Sequence, residues 1–409
     1  MSQRVAVTGL GVVSPLGNTL ADFRGRLLEG ASGAGPITVF DPASLPTRIA
    51  AQADTRGLSL EHKDRKVAFA IAAARDAVLD AQTAGMPLRA HYPPGSGGLS
   101  IGIGLELFAM PDMVRLLETK QMPPDAHPLT FLQTPSDICA HIISKEHGLG
   151  RPPLTHIAAC AASTDAIGVA FRMLRDGKCA WMLAGGADSM LNPLGVGGFC
   201  KLDALTRRNA EPHKASRPFD RHRDGFLLGE GAGMLALEPL EAARARGAKV
   251  YAEIDGYGNS FDAYGISEPH PNGDGALLAM RRALDSAAIG PGGICYINAH
   301  GTSTPKNDPV EALAIRRLWG EHTARAAVSS TKSMLGHLIS ASGAVETVAT
   351  VICGASGWMH ATANLDEPDP ACDLDHIRGG PRRMEHGHIL KNSFGFGGQN
   401  AALVLHIAG

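Results

Sequence analysis

The sequence predicts an α/β protein of two similar halves, and three observations carry that prediction. Short apolar, strand-like runs alternate with helix-periodic stretches along the whole chain. Of 409 residues, 49 are glycine and only 5% are aromatic, which suits tight turns and closely packed layers more than an all-β sandwich. A unit of strand, Gly/Ser turn with a polar reactive group, then small-residue helix occurs in each half, a weak internal duplication. With 44% hydrophobic residues, the chain can bury one large core or two fused ones. The halves are set at residues 1–249 and 250–409.

A formal net charge of −2 produces no global field toward nucleic acid or an anionic membrane, so neither is expected as a partner. Uncharged runs such as 286–305 are broken by Gly, Pro, Ser, Thr and His, and none reads as a membrane span. Seven cysteines form no C-x-x-C pair, and no secretory leader precedes Arg4-Val-Ala-Val-Thr. Reduced thiols in a cytoplasmic protein are the economical expectation.

Taken in order, 5–13 reads as a strand. Its Gly9-x-Gly11 resembles a fragment of a dinucleotide loop but lacks the third glycine and the downstream acidic residue. Residues 66–82 read as an Ala-rich helix behind a basic cluster, Lys63, Arg65 and Lys66, and 97–104 as a buried strand running into a loop. The segment 108–135, rich in Pro and Met, reads as an insertion that could line a pocket or a subunit contact.

The stretch 154–174 is the pivot. An apolar run is cut by a small-residue turn at Cys160, after which Ile167, Ala170, Phe171 and Leu174 recur at helical spacing. Ser163, Thr164 and Asp165 are N-cap candidates, and Gly177 is a stop signal. A thiol there faces the positive end of the helix dipole and unpaired N–H groups, so the thiolate is expected to be favoured and an oxyanion stabilised. Residues 180–188 then read as a buried strand, 205–223 as an exposed charged excursion, and 229–238 as a strand.

The second half repeats the pattern: strand 251–254, helix 275–288, strand 295–300, helix 308–319, strand 326–329, a loop from Lys332 to His337, and a helix over 340–352. It closes on a glycine-rich loop, Gly395-Phe396-Gly-Gly-Gln-Asn400, and a final apolar strand. That loop must approach something closely or adopt φ > 0, and it lacks the Lys-Ser/Thr of a phosphate-binding P-loop.

Each reactive residue has a bland alternative. A lone cysteine is most often a small buried hydrophobe, the reading kept for the other six. His300, in Asn298-Ala-His-Gly-Thr-Ser-Thr-Pro305, could be a satisfied core histidine, and Lys332 with Glu346 an ordinary surface pair. His337 lies in Ser329-Ser-Thr-Lys-Ser-Met-Leu-Gly-His. No H-E-x-x-H or comparable spacing exists, so no metal is expected. One nucleophilic cysteine, two histidines, a lysine and a glycine-lined turn suit acyl-thioester chemistry.

Several separated motifs then agree with one family, in its order. Ala159-Cys160-Ala-Ala-Ser, Gly185-Gly-Ala, Asn298-Ala-His-Gly-Thr-Ser-Thr-Pro, Ser330-Thr-Lys-Ser-Met-x-Gly-His and Asn392-Ser-Phe-Gly-Phe-Gly-Gly resemble β-ketoacyl-acyl carrier protein synthases. The likeness runs nearly end to end and is strongest to the type II elongating enzyme and its relatives in type II polyketide systems. It implies a thiolase fold in five α-β-α-β-α layers, usually dimeric, and decarboxylative Claisen condensation that extends an acyl chain by two carbons in fatty acid or polyketide biosynthesis. It implies no cofactor, the substrates being carried on the 4'-phosphopantetheine of acyl carrier protein. It further implies a homodimer, or a heterodimer with a chain-length-factor homologue.

Carried over by position, Cys160 matches the acyl-accepting nucleophile, and His300 and His337 match the pair serving malonyl decarboxylation. Lys332 matches the motif lysine that pairs with a glutamate at the position of Glu346. Phe396 matches the gate residue whose amide joins that of Cys160 in the oxyanion hole, and Phe199 a second gate residue. Thr302 and Thr304 match the hydroxyls that bind pantetheine, and the Lys63, Arg65, Lys66 cluster could receive the acidic carrier. The chain departs from the family at Ala161-Ala-Ser, Ser340, Ser342, Gln399 and Asp203, which bears on chain preference and carrier partner. The rival readings are a non-catalytic chain-length factor, which would lack the nucleophile, and a coenzyme A-dependent thiolase, which would carry a second cysteine where Phe394 and Phe396 stand.

Overall fold

The opening apolar run folds as β1 (Val5–Val13), buried along its whole length. The other strands of its sheet are β2 (Gly97–Ile103), β3 (Leu154–His156), β4 (Trp181–Ser189), β5 (Glu230–Pro239), β6 (Ala252–Phe261), β7 (Ile294–Asn298), β8 (Ala327–Ser329), β9 (Asp375–His376), β10 (His388–Phe394) and β11 (Gln399–Ile407). This computed structural model describes residues 3–60, 62, 64–104, 110–124, 134–320, 326–384 and 387–408. Among the described residues these strands form one 11-stranded sheet in the order β9-β8-β7-β10-β11-β6-β1-β5-β4-β2-β3.

The order itself is a repeat. In β3-β2-β4-β5-β1 and again in β8-β7-β10-β11-β6, the first two pairings are parallel and the last two antiparallel. Strand β9 is an addition at one edge. The halves join where Val5–Val7 of β1 pair with Ile254–Ala252 of β6.

Parallel neighbours need long crossovers, and helices supply them. The main helices are α1 (Arg65–Asp80), α2 (Pro135–His147) and α3 (Ala162–Arg175) in the first half, and α4 (Asp274–Ala287), α5 (Asn307–Trp319) and α6 (Ser342–Ala355) in the second, of which α2, α3, α5 and α6 lie in the crossovers between parallel neighbours. Helices α1 and α2 cover the outer face of the first half, α4 and α5 that of the second, and α3 and α6 pack together between them. The expected five layers result. The two central helices pack against each other across the halves, and the turns that lead into them bring residues of both halves together.

Close packing accounts for two glycine positions. A Cβ on Gly11 would lie 1.9 Å from the Ala73 carbonyl of α1, so the Gly9-x-Gly11 pair is a strand–helix contact and not a nucleotide loop. A Cβ on Gly168 of α3 would fall 2.2 Å from the buried Tyr257 ring. Gly168→Ala should therefore lower stability by about 1–3 kcal/mol despite the better helix propensity of alanine. Thermal unfolding of the variant checks this, and an unchanged or raised midpoint would contradict it.

Two expectations are corrected. Helix α3 starts earlier than its N-cap candidates, directly out of a 3₁₀ turn at Ala159–Ala161, and no side chain caps it. Ser163, Thr164 and Asp165 instead serve the central layer: Ser163 accepts the Ala344 amide at 2.9 Å, Thr164 meets the Ser393 hydroxyl at 2.8 Å, and Asp165 accepts from Tyr257 at 2.5 Å. The charged segment 205–223 is exposed only in part: Arg207, Glu211, Lys214 and Arg221 are exposed, whereas residues 215–220 are buried, where Arg217 and Asp220 pair. Asp220 accepts Arg217 Nε at 2.9 Å and the amides of His222, Asp366 and Glu367. Of the segment 108–135, residues Met110–Thr119 form a helix, while 105–109 and 125–133 lie outside the described residues.

Candidate active site

Cys160 sits in the 3₁₀ turn that enters α3, where Ala159 takes φ +44°, a costly value for a residue with a Cβ. The duplication places the same turn before α6, at Ile339–Ala341, with Ile339 at φ +48°. His337 lies just ahead of that second turn. The two central helices thus bring a thiol and an imidazole face to face, with Cys160 Sγ 3.0 Å from His337 Nε2.

The charge state of the thiol reverses the expectation drawn from the helix dipole. Burial pushes Cys160 up to about 11, outweighing the hydrogen bond from the Phe396 amide and the attraction of Lys332. The resting group is a thiol. Its alkylation by iodoacetamide should accelerate about tenfold per pH unit through the neutral range, since only the thiolate reacts. A rate that is flat between pH 7 and 9 would refute this.

Both histidines are neutral, and the network sets their tautomers. His337 Nδ1 accepts the Ile339 amide at 3.1 Å and lies 2.9 Å from the Ser342 hydroxyl, so the proton is on Nε2. His300 leaves the end of β7 with its amide and that of Gly301 bonded to the Glu311 carboxylate of α5, at 2.8 and 2.7 Å. Lys332 Nζ uses its protons on the His300 carbonyl (2.8 Å), Glu346 Oε1 (2.5 Å) and His300 Nδ1 (3.2 Å). His300 therefore also carries its proton on Nε2.

Burial first, and Lys332 second, hold both imidazoles well below the ordinary histidine value. Their rings meet edge to face with centroids 5.4 Å apart. Lys332 and Glu346 are 1% and 2% exposed, so the surface-pair reading of them falls.

The glycine loop completes the site. Gly397 and Gly398 adopt φ +81° and +79°, as expected. A Cβ on Gly395 would lie 3.2 Å from Cys160 N, so the loop backbone runs against the turn and its Phe396 N–H reaches Sγ. The Phe199 ring touches that of Phe396 at 6.4 Å. A cavity of about 270 Å³ has Cys160, His300, His337, Thr302, Thr304 and Phe396 in its wall. The Thr302 and Thr304 hydroxyls are 2.9 Å apart. Donor atoms of Cys160, His300 and His337 lie within 4.8 Å of each other, yet both cavity-facing ring nitrogens carry protons, which suits an oxyanion better than a cation.

Arg65 and Lys66 do not form a docking patch. Glu230 and Asp188, at neighbouring ends of β5 and β4, are buried carboxylates that need cations. Arg65 pairs with Glu230 at 2.5 Å, while buried Lys66 donates to the Gly104 carbonyl at 2.8 Å and lies 3.7 Å from Asp188. Lys63 lies outside the described residues. Asp203 is exposed and pairs with Arg207 at 2.6 Å.

Other residues at the site were not foreseen. Phe226 meets the His337 ring and Phe394 the His300 ring, both edge-on, at 5.2 and 5.8 Å. Glu311 anchors the His300 loop; its signal was an acid one helical turn after Asp308 in a helix that is otherwise apolar inside. Lys391 is fully buried in β10, with Nζ 2.9 Å from Glu346 Oε2 in an ion pair outside hydrogen-bond alignment. Its signal was a lysine amid a buried strand, Ile389-Leu-Lys-Asn392.

Profiles for the N-terminal and C-terminal domains of beta-ketoacyl synthase match residues 2–243 and 251–366. The chain is 41% identical to the 3-oxoacyl-[acyl-carrier-protein] synthase 2 of Coxiella burnetii, over 98% of each chain. It is 42% identical to that of a Synechocystis species, over 98% of this chain and 97% of the relative. Three solved structures superpose over the full length of both chains. One is a type II polyketide acyl-carrier protein in complex with its hexaketide-bound ketosynthase (TM-score 0.91, 31% identity). The others are the ishigamide ketosynthase/chain length factor (0.89, 33%) and a beta-ketoacyl synthase from Burkholderia phymatum (0.90, 34%).

Proposed function

Because this chain belongs to the β-ketoacyl synthase family, we propose that Cys160, His300 and His337 perform a decarboxylative condensation in which an acyl group held on Cys160 is extended by two carbons from malonyl-acyl carrier protein. The chain is an acyltransferase. The observation that carries the assignment of roles is the convergence of one thiol and two neutral Nε2–H donors on one cavity.

In loading, Sγ attacks the thioester carbonyl of the acyl carrier; the thiol proton leaves with the released pantetheine thiol. Amides of Cys160 and Phe396 receive the oxyanion, with Phe396 and Phe199 as gate. Malonyl thioester, its arm held by Thr302 and Thr304, then loses CO₂ as the bond to its carboxylate breaks and the electron pair passes into an enolate. Two imidazole N–H groups meet the enolate oxygen, each such donor being worth about 3–4 kcal/mol. The enolate carbon attacks the Cys160 thioester, and collapse of the oxyanion expels the cysteine thiolate, which takes a proton from solvent. No cofactor enters any step. Lys332 and Glu346 act through the histidines.

Acyl carrier protein is the partner we assign. A second protomer, identical or a chain-length-factor homologue, would find an unpaired edge at β3, followed by strongly exposed Ile157. No described helix is long and apolar enough to cross a membrane, and among the described residues no cysteine is in a disulfide, which supports a cytoplasmic setting. The chain-length-factor reading is disfavoured by the Cys160–His337 contact, and the thiolase reading by Phe394 and Phe396 in the loop. Mass spectrometry of the active-site peptide after incubation with acyl- and malonyl-carrier protein tests the proposal. An acyl adduct on Cys160 and a product two carbons longer are expected; no adduct would end it.

A further inference from the structure

We propose that Lys391 is a positioning residue of this site: it shares Glu346 with Lys332 and thereby holds His300 and His337 as a matched pair of neutral Nε2–H donors. The proposal rests on the roles assigned to the two histidines above.

Strand β10 places Lys391 opposite Asn298 of β7 on one side and Leu403 of β11 on the other. Its side chain enters the central layer, where it meets the Ser393 hydroxyl, the Asn392 carbonyl at 2.9 Å, Thr164 Oγ1 at 3.4 Å and Glu346 Oε2 at 2.9 Å. A buried lysine is costly to hold unless it is paired, and the described partners include one carboxylate that Lys332 already uses. Glu346 is therefore clamped between two ammonium groups. Lys332 on Oε1 and Lys391 on Oε2 fix the plane of the carboxylate, and with it the direction of the Lys332 proton that reaches His300 Nδ1.

The count of charges matters as much as the geometry. Lys332 already acts on both imidazoles, although its pair with Glu346 carries no net charge. With Lys391 added, the cluster carries one net positive charge beneath two imidazoles. The charged groups that act on those rings are Lys332 and, on β10, Lys391. Cys160 touches His337, Glu346 on α6 joins the two lysines, Glu311 on α5 holds the His300 amide, and Asp188 at the end of β4 accepts the Ser340 amide and acts on Cys160. Lys391 contributes to holding both histidines down. Burial draws Lys391 itself down to about 8 against the pull of Glu346, so it is mainly cationic below that pH. Protonation of either imidazole would fall on Nδ1, against the Lys332 ammonium at His300 or the Ile339 amide at His337, and would drive the ring out of place.

The sign follows. Removing the Lys391 charge lets imidazolium form at higher pH, so the acid limb of decarboxylation moves up. Lys391→Met and Lys391→Gln are compared with Lys391→Arg in the full-length enzyme by following CO₂ release from malonyl-carrier protein across pH. The uncharged variants should shift the acid limb upward by about one unit, and arginine should largely restore it. Gln keeps a polar group for Ser393 and the Asn392 carbonyl, so it carries the test if Met does not fold. A folded Met or Gln variant with an unmoved limb would overturn the proposal, as would an arginine variant shifted equally. If the unsubstituted enzyme released no CO₂ at all, the roles of the histidines would fail instead.

Discussion

Cys160→Ala is expected to lose chain extension by a factor on the order of 10⁴ or more while keeping its fold and its ability to release CO₂ from malonyl-carrier protein. The first part follows because no other cysteine is in the cavity wall, so no second thiol can hold the acyl group. The second follows because the enolate is met by His300 and His337, whose tautomers are set by Lys332, Ile339 and Ser342 rather than by the thiol. Removing one buried sulfur from a turn held by the start of α3 should cost about 1 kcal/mol of stability. Parallel assays of acyl adduct, extended product and CO₂ check the three statements. Extension at the original rate by the alanine variant would remove Cys160 from the role of nucleophile.

The histidines should separate from one another in a way that their shared neutrality does not suggest. His300→Ala and His337→Ala are each expected to depress malonyl decarboxylation about 10²- to 10³-fold, the loss of one preorganised donor to an oxyanion. The double variant should lose less than the product of the two, because both donors address the same oxygen. Acyl loading distinguishes them. His337 Nε2 is 3.0 Å from Sγ and stabilises the forming thiolate, whereas His300 is tied to Lys332, Glu311 and Phe394. His300→Ala should therefore load Cys160 at close to the unsubstituted rate, and His337→Ala more slowly. Equal loading by both, or CO₂ release unaffected by either, would show the division of roles to be wrong.

These expectations depend on features of unequal visibility in the chain. The nucleophile, both histidines, Lys332 with Glu346 and the glycine loop could be read from local residue patterns, because each lies in a short motif whose turn or strand end is specified by its neighbours. The alternation of strands and helices was legible for the same reason, and the duplication reached further than the sequence suggested: even the strained φ values of Ala159 and Ile339 correspond. The N-caps of α3 were misread and the excursion at 205–223 is exposed only in part, because the polar side chains there found partners far along the chain.

By itself, then, the sequence determined the layered α/β class, the identity of the reactive groups and the glycine loop that must turn with positive φ. Those are set by hydrophobic periodicity and local backbone sterics, which act over a few residues. Only the tertiary structure decided that the thiol rests protonated, that Lys66 points inward to Asp188 and Gly104, and that Lys391 stands beside Glu346. The physical reason is that desolvation and ion pairing depend on what surrounds a group in space. Cys160 and His337 touch although 177 residues separate them.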